Sequence, residues 1–247
     1  MGGVIVQRAS SVFVETRLLV MFEGSDYIHA NYVSSYKKPK AFVLTQGPTK
    51  KTLVDFWRMV WEQQVHVIVM TTKCVELGRH KCTQYWPEEG VVQYGNVTVT
   101  VSRLQQYEGY ELRTMNISCT GVERNIKHFQ FLAWPDYGVP TSGSTVLDLI
   151  SVVREAAAHA TTTTRSTKPS SSSGDHKIIV HCSAGVGRSG AFCVIHNCID
   201  EFREKGTVNV QGAVRALRHQ RAYAIQTDEQ YEFCYRTILQ FMKTHRN

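Results

Sequence analysis

The stretch that most limits what this chain can become is residues 177–190, Lys-Ile-Ile-Val-His-Cys-Ser-Ala-Gly-Val-Gly-Arg-Ser-Gly. Ile178, Ile179 and Val180 form a short β-branched run, the pattern of a buried strand. Cys182 follows, then five small or apolar residues, then Arg188, then an apolar stretch (Ala191, Phe192, Val194, Ile195) that reads as a helix. A strand feeding a small-residue loop that opens a helix makes an anion site. Gly185 and Gly187 let the backbone curl, the N–H groups turn inward, and the helix N-terminus adds partial positive charge. Phosphate is the guest such a cradle fits.

A cysteine inside that cradle has its thiolate favoured by the N–H groups, the helix end and Arg188. Arg188 also offers a planar fork of donors that matches two oxygens of a phosphoryl group. Nucleophile, cradle and clamp lie within seven residues. Together they read as a device for attack on phosphorus through a cysteinyl-phosphate. A buried strand-end thiol beside an ordinary turn is the bland alternative, and it leaves the arginine at this spacing without a purpose. A nucleotide-binding turn is excluded because no Gly-Lys-[Ser/Thr] follows.

Composition bounds the rest. A chain of 247 residues with 43% hydrophobic content supports one well-cored domain. A formal charge of +7 suits acidic or phosphorylated partners. No apolar run approaches a membrane span, and no signal-peptide pattern opens the chain. The seven cysteines show no Cys-x-x-Cys spacing, which predicts a reduced, cytoplasmic protein without structural zinc.

Along the chain, 41–45 reads as a strand and Gln46-Gly47-Pro48 as its turn. Leu53, Phe56, Trp57, Val60 and Trp61 recur at helical spacing over 52–64, and 65–70 is a buried strand. That order argues for an α/β unit. Residues 97–101 alternate with period two, and 110–118 and 127–133 are further strands. Helices are expected over 141–155, 193–204, 208–221 and 228–243, the third with a basic face of Arg215, Arg218 and Arg221. The last has Thr227 as cap and Gln230 at N3. Lys37, Lys38, Lys40, Lys50 and Lys51 read as a solvated face. A Thr/Ser-rich stretch over about 156–176 reads as a low-complexity surface loop inside the domain.

The run from His181 to Gly190 resembles the phosphate-binding loop of the protein tyrosine phosphatases, in their large phosphotyrosine-specific branch. Trp134-Pro135-Asp136-Tyr137-Gly138-Val139-Pro140 matches that family's mobile acid loop, and Ile225-Gln226-Thr227 its glutamine loop. The likeness covers 23–247, leaving 1–22 as an atypical N-terminal segment. Finer matches, such as Gln220-Arg221-Ala222 and Val67-Ile68-Val69-Met70-Thr71-Thr72, are most like the non-receptor type that carries a Sec14-like (CRAL-TRIO) N-terminal domain.

The resemblance implies a single α/β (α+β) domain: a highly twisted mixed β-sheet flanked by helices, with the cysteine loop between a strand and a helix. It implies a monomer acting on tyrosine-phosphorylated proteins, with no cofactor, no metal, no nucleic acid and no transmembrane segment. Cys182 would be the nucleophile, with Ser183, Ala184, Gly185, Val186, Gly187 and Arg188 holding the phosphoryl group. Asp136 would be the general acid and later the base, since a phenol leaving group needs a proton and the cradle offers none. Ser189 would bond the departing thiolate, Gln226 would place the attacking water, and Gln230 would assist. On residue type alone both glutamines read as capping or solvated groups. His181 would support the loop, Glu76 would pair with Arg188, and Lys81 would meet the acid loop. Two departures stand out. His29 replaces an Asn of the family's Asp-Tyr-Ile-Asn-Ala-Asn stretch, and Gln7 falls where the family has the aromatic wall of the pocket. The missing wall keeps a weakly active phosphotyrosine-binding module as a rival. A phosphoinositide phosphatase is a second, against which the interior 183–187 has no lysine.

Overall fold

The computed structural model describes residues 28–163 and 177–245. Gln7 with the rest of the N-terminal segment, and 164–176 of the Thr/Ser-rich stretch, lie outside the described residues. An eight-stranded sheet organises the rest, in the order β1 (Ala30–Val33), β2 (Phe42–Thr45), β10 (Ile178–His181), β3 (Val67–Met70), β9 (Val122–Phe131), β8 (Tyr110–Cys119), β7 (Val97–Tyr107), β6 (Val91–Tyr94). The central four, β2, β10, β3 and β9, run parallel. β1 and the arm β8–β7–β6 pair antiparallel. A separate hairpin of β4 (Val75–Glu76) and β5 (Arg79–His80) stands beside the sheet. This is the mixed sheet flanked by helices that the sequence implies.

The parallel centre is apolar on both faces because both faces are covered. On β10, Ile178 and Val180 join one core with Phe192 and Phe233, and Ile179 joins the other with Phe56 and Trp57. The first core is roofed by α2 (Ser144–Thr163), α3 (Gly187–Lys205), α4 (Val210–Gln220) and α5 (Asp228–His245), the second by α1 (Leu53–Glu62). On α1 the periodicity holds: Phe56, Trp57, Met59 and Val60 are buried, and Trp57 Nε1 donates to the Tyr85 carbonyl at 2.8 Å. Each fully buried aromatic or aliphatic side chain contributes about 1.5–3 kcal/mol, so this stripe alone fixes the helix against the sheet.

Two features differ from expectation. α2 does not stop at 155 but continues to Thr163. Ala156, Ala157, Ala158 and Ala160 are strong helix formers, and their compositional bias reads as low complexity only when propensity is ignored. β1, β4, β5 and β6 are also unannounced, because strands of two to four residues are too short to show a period.

The topology has one chemical consequence. β2, β10, β3 and β9 all end at the same edge of the sheet, where they lead into Gln46-Gly47, Cys182, Thr71-Thr72 and Trp134-Pro135-Asp136 respectively. A parallel sheet gathers its functional loops at the carboxyl ends of its strands.

Candidate active site

The loop from β10 to α3 has all its carbonyls turned outward and bonded. His181 O accepts from Thr71 N at 2.8 Å, Cys182 O from His181 Nδ1 at 3.1 Å, and Ser183 O from Gly47 N at 2.9 Å. Ala184 O and Gly185 O both accept from Arg221, at 3.1 Å each. Val186 O accepts from Ile225 N at 3.1 Å. Carbonyls bonded on the outside leave the amide N–H groups lining the inside, which is the physical definition of an anion cradle. Cys182 lies within it, buried and in no disulfide, and its Sγ accepts from Gly185 N at 3.2 Å. Gly185 has a φ of 71°, and a Cβ there would collide with the Thr45 carbonyl. Gly187 works differently from the curl expected of it. It is the first residue of α3, and a Cβ there would stand 2.8–2.9 Å from the side chains of Gln230 and Gln226. Its smallness makes room for the glutamines.

Behind the cradle, Tyr85 OH lies 2.7 Å from His181 Nε2 and 2.7 Å from His128 Nε2. The proton order is fixed by elimination. His181 Nδ1 faces a carbonyl, so it donates, and Nε2 accepts from Tyr85. Tyr85 in turn accepts from His128 Nε2. Burial lowers the His181 pKa to about 4, and burial, then Arg113 and His181, holds His128 well below the ordinary value. Both rings are neutral at physiological pH.

Arg188 stands on the first turn of α3. Its Nη1 and Nη2 donate to Glu76 at 2.5 and 2.9 Å, with longer contacts to Thr71 O (3.4 Å) and Pro135 O (3.3 Å). Glu76, 3% exposed, also accepts from Thr72 Oγ1 and Lys73 N. Burial pushes its carboxyl pKa up. The bonds from Arg188, Thr72 and Lys73 outweigh that and bring it below the ordinary value. The β4–β5 hairpin therefore presents a fixed anion that aims the guanidinium.

On the acid loop, Trp134 Nε1 donates to Gly138 O at 3.1 Å, and the Trp134 ring lies under Arg188. Asp136 has one neighbour of opposite charge, Lys73 Nζ at 3.9 Å, and its Oδ1 has no hydrogen-bond partner among the described residues. The glutamine loop is held from below by Arg218, which donates to Ala224 O and Ile225 O at 2.8 Å. Ile225 is buried with a φ of 62°, a conformation that costs a β-branched residue about 1–3 kcal/mol. The next residue, Gln226, has its side-chain oxygen beside Gly187. Gln230 Oε1 accepts from Gln226 N at 2.9 Å, and Thr227 Oγ1 accepts from Gln230 N at 3.3 Å, a capping box shifted by one residue.

A family profile described as protein-tyrosine phosphatase matches residues 7–240. The chain belongs to the protein-tyrosine phosphatase family. It is 45% identical over 221 residues to tyrosine-protein phosphatase non-receptor type 9 of Rattus norvegicus, covering 88% of this chain and 37% of that one. It is 36% identical over 222 residues to receptor-type tyrosine-protein phosphatase alpha of Mus musculus, covering 89% and 25%. The solved catalytic domain of human protein tyrosine phosphatase non-receptor type 18 superposes with a TM-score of 0.79 at 33% identity, covering 89% of this chain and 75% of that one. The chain thus spans little more than a third of the length of the non-receptor relative.

Within this phosphatase fold, Cys182, Arg188, Glu76, Asp136, Gln226 and Gln230 are brought to one edge of the sheet. Two expectations meet different geometry. The cation beside Asp136 is Lys73 rather than Lys81, whose backbone N–H bonds Cys74 O. Ser189 Oγ is fully buried with no hydrogen-bond partner among the described residues, so it makes no bond to Cys182 Sγ. The basic face expected on α4 is not all solvated either: Arg221, 3% exposed, is turned inward onto the cysteine loop. Arg221, Tyr85, His128, Thr72 and Lys73 are the working residues that sequence reasoning missed. Arginine and histidine flanking the family motifs were the available signal. No helix among the described residues is long and apolar enough to cross a membrane.

Proposed function

We propose that this chain is a phosphatase that hydrolyses phosphotyrosine on proteins through a cysteinyl-phosphate. The observation that carries the reading is the outward bonding of every carbonyl from His181 to Val186 around a buried Cys182. Sγ attacks phosphorus while the inward N–H groups of Ser183 to Gly187 and the Arg188 fork take the equatorial oxygens. Arg188 keeps its bonds to Glu76 and exchanges the long Pro135 contact for substrate. Asp136 protonates the departing phenol and in the second step removes a proton from water. Gln226, with Gln230 behind it, orients that water over Gly187. The unpartnered Ser189 hydroxyl is the group free to bond the thiolate as it leaves. His181 supports the loop through the Cys182 carbonyl, and Lys73, in place of Lys81, steadies the acid loop. We place the chain in the non-receptor branch, acting as a cytoplasmic monomer on tyrosine-phosphorylated proteins, on its 45% identity to non-receptor type 9. Steady-state kinetics on matched phosphotyrosyl and phosphoseryl peptides test this. The reading requires turnover of the first and not the second; equal rates, or none on either, would overturn it.

A further inference from the structure

Arg221 is the residue that holds two successive cradle carbonyls, Ala184 O and Gly185 O. Its guanidinium is itself aimed by two groups, one just before β1 and one within it. Asn31 Oδ1 accepts from Nη1, and His29 Nδ1 lies 3.1 Å from Nη2. A guanidinium has only donors. His29 Nδ1 must therefore be the acceptor, and the ring must be neutral for the contact to exist. Its own backbone is fixed, because His29 O accepts from Thr45 Oγ1 and Gln46 N. The ring cannot follow the chain away without disturbing β2.

We propose that His29 is a positioning residue for the phosphate cradle: as a neutral acceptor it orients Arg221 on the Ala184 and Gly185 carbonyls, and on protonation it releases that hold. The protonated ring would set N–H against N–H and cation against cation, so Arg221 would keep Asn31 and lose His29. The charged groups facing His29 among the described residues are few. Arg221 approaches from beyond α4, and Asp55 of α1 lines the same cavity of about 220 Å³ beside the ring. Asp55 is occupied by Arg58 at 3.3 Å and does not offset Arg221. Burial, then Arg221, lowers the His29 pKa from its ordinary value. The neutral form therefore persists above that lowered value, and the hold is lost as pH falls through it.

The inference rests on the phosphatase reading, and its test separates the two. The kcat/KM of wild type, His29→Asn and His29→Ala on one aryl phosphate is measured from pH 5 to 8. The titration of the substrate is common to all three and cancels in the ratios. Asn supplies an acceptor that does not titrate. The ratio of wild type to His29→Asn should be constant near pH 7 to 8 and fall about threefold toward pH 5, well below the roughly tenfold or more that one whole charge-assisted hydrogen bond is worth. Relative to His29→Asn, His29→Ala should be reduced by a similar factor at every pH, so that wild type and His29→Ala converge toward pH 5. A wild-type to His29→Asn ratio that stays flat to pH 5, or an Ala variant equal to wild type at pH 7.5, overturns the proposal. Tungstate affinity, read by tryptophan fluorescence over the same pH range, gives the same ratios without turnover. If no variant turns over substrate, the phosphatase reading falls, and the tungstate ratios still decide the role of His29. His29→Gln replaces His29→Asn if the latter does not fold.

Discussion

The cysteine loop and the acid loop face each other across one site, and they are held in opposite ways. The cysteine loop has each carbonyl from His181 to Val186 bonded, a buried tyrosine–histidine chain behind it and a carboxylate aiming its arginine. Among the described residues, the acid loop presents Asp136 with one ion pair at 3.9 Å to a half-exposed lysine and an unbonded oxygen. The difference matches the tasks proposed for the two loops. Charge on the phosphoryl oxygens is stabilised best by dipoles that are already in place. A general acid must admit substrate and then close on it, so its loop is bonded sparsely.

If that contrast is right, substitutions on the two sides should fail differently. Cys182→Ser should bring turnover below detection while tungstate still binds, because the cradle survives without its nucleophile. Asp136→Ala should lower kcat by about 10²–10⁴ without raising KM. The loss should shrink as the leaving phenol becomes more acidic. An equal loss across leaving groups would show that Asp136 does something other than donate a proton.

Tyr85→Phe strikes the fixed side from behind. It leaves His181 Nε2 and the His128 N–H unpaired in the core, which should lower stability by about 1–3 kcal/mol in a denaturant titration. Turnover should fall with no change in leaving-group dependence, since the acid is untouched. The same buried pair of rings sets a pH dependence. His181 has its pKa lowered to about 4, so the unfolded state binds its proton first as pH falls. Stability should be full above the unfolded value of about 6.5 and decline down to about pH 4. A His181→Gln variant should show a shallower decline over that window. Lys73→Ala should be the mildest. An exposed ion pair is worth at most about 1 kcal/mol, so kcat should change less than about fivefold. A larger loss would mean the acid loop is held more firmly than a single long ion pair allows.

Much of this was legible in the sequence because the chemistry is local there. Cys182, the small residues and Arg188 are consecutive, so their spacing alone describes a cradle. What the sequence could not show is what makes the cradle rigid. Arg221 reaches Gly185 across 36 positions and Tyr85 reaches His181 across 96, contacts that exist only once β10 is inserted between β2 and β3. Arg221 also sits at helical spacing from Arg215 and Arg218, which disguises it as a solvated face. The run of alanines after Glu155 hid a helix behind its low complexity, and the choice of Lys73 over Lys81 depends on a two-residue hairpin with no period to read.

The covalent step is the point on which everything else depends. Substrate labelled in its phosphoryl group should be mixed with a Gln226→Ala variant, in which loss of the water-placing side chain slows the second displacement, and quenched in acid within the first turnover. Peptide mapping should find the label on Cys182 and nowhere in a Cys182→Ser control. Steady release of phosphate with no label on Cys182 at any time would contradict the cysteinyl-phosphate and the role of the cradle around it.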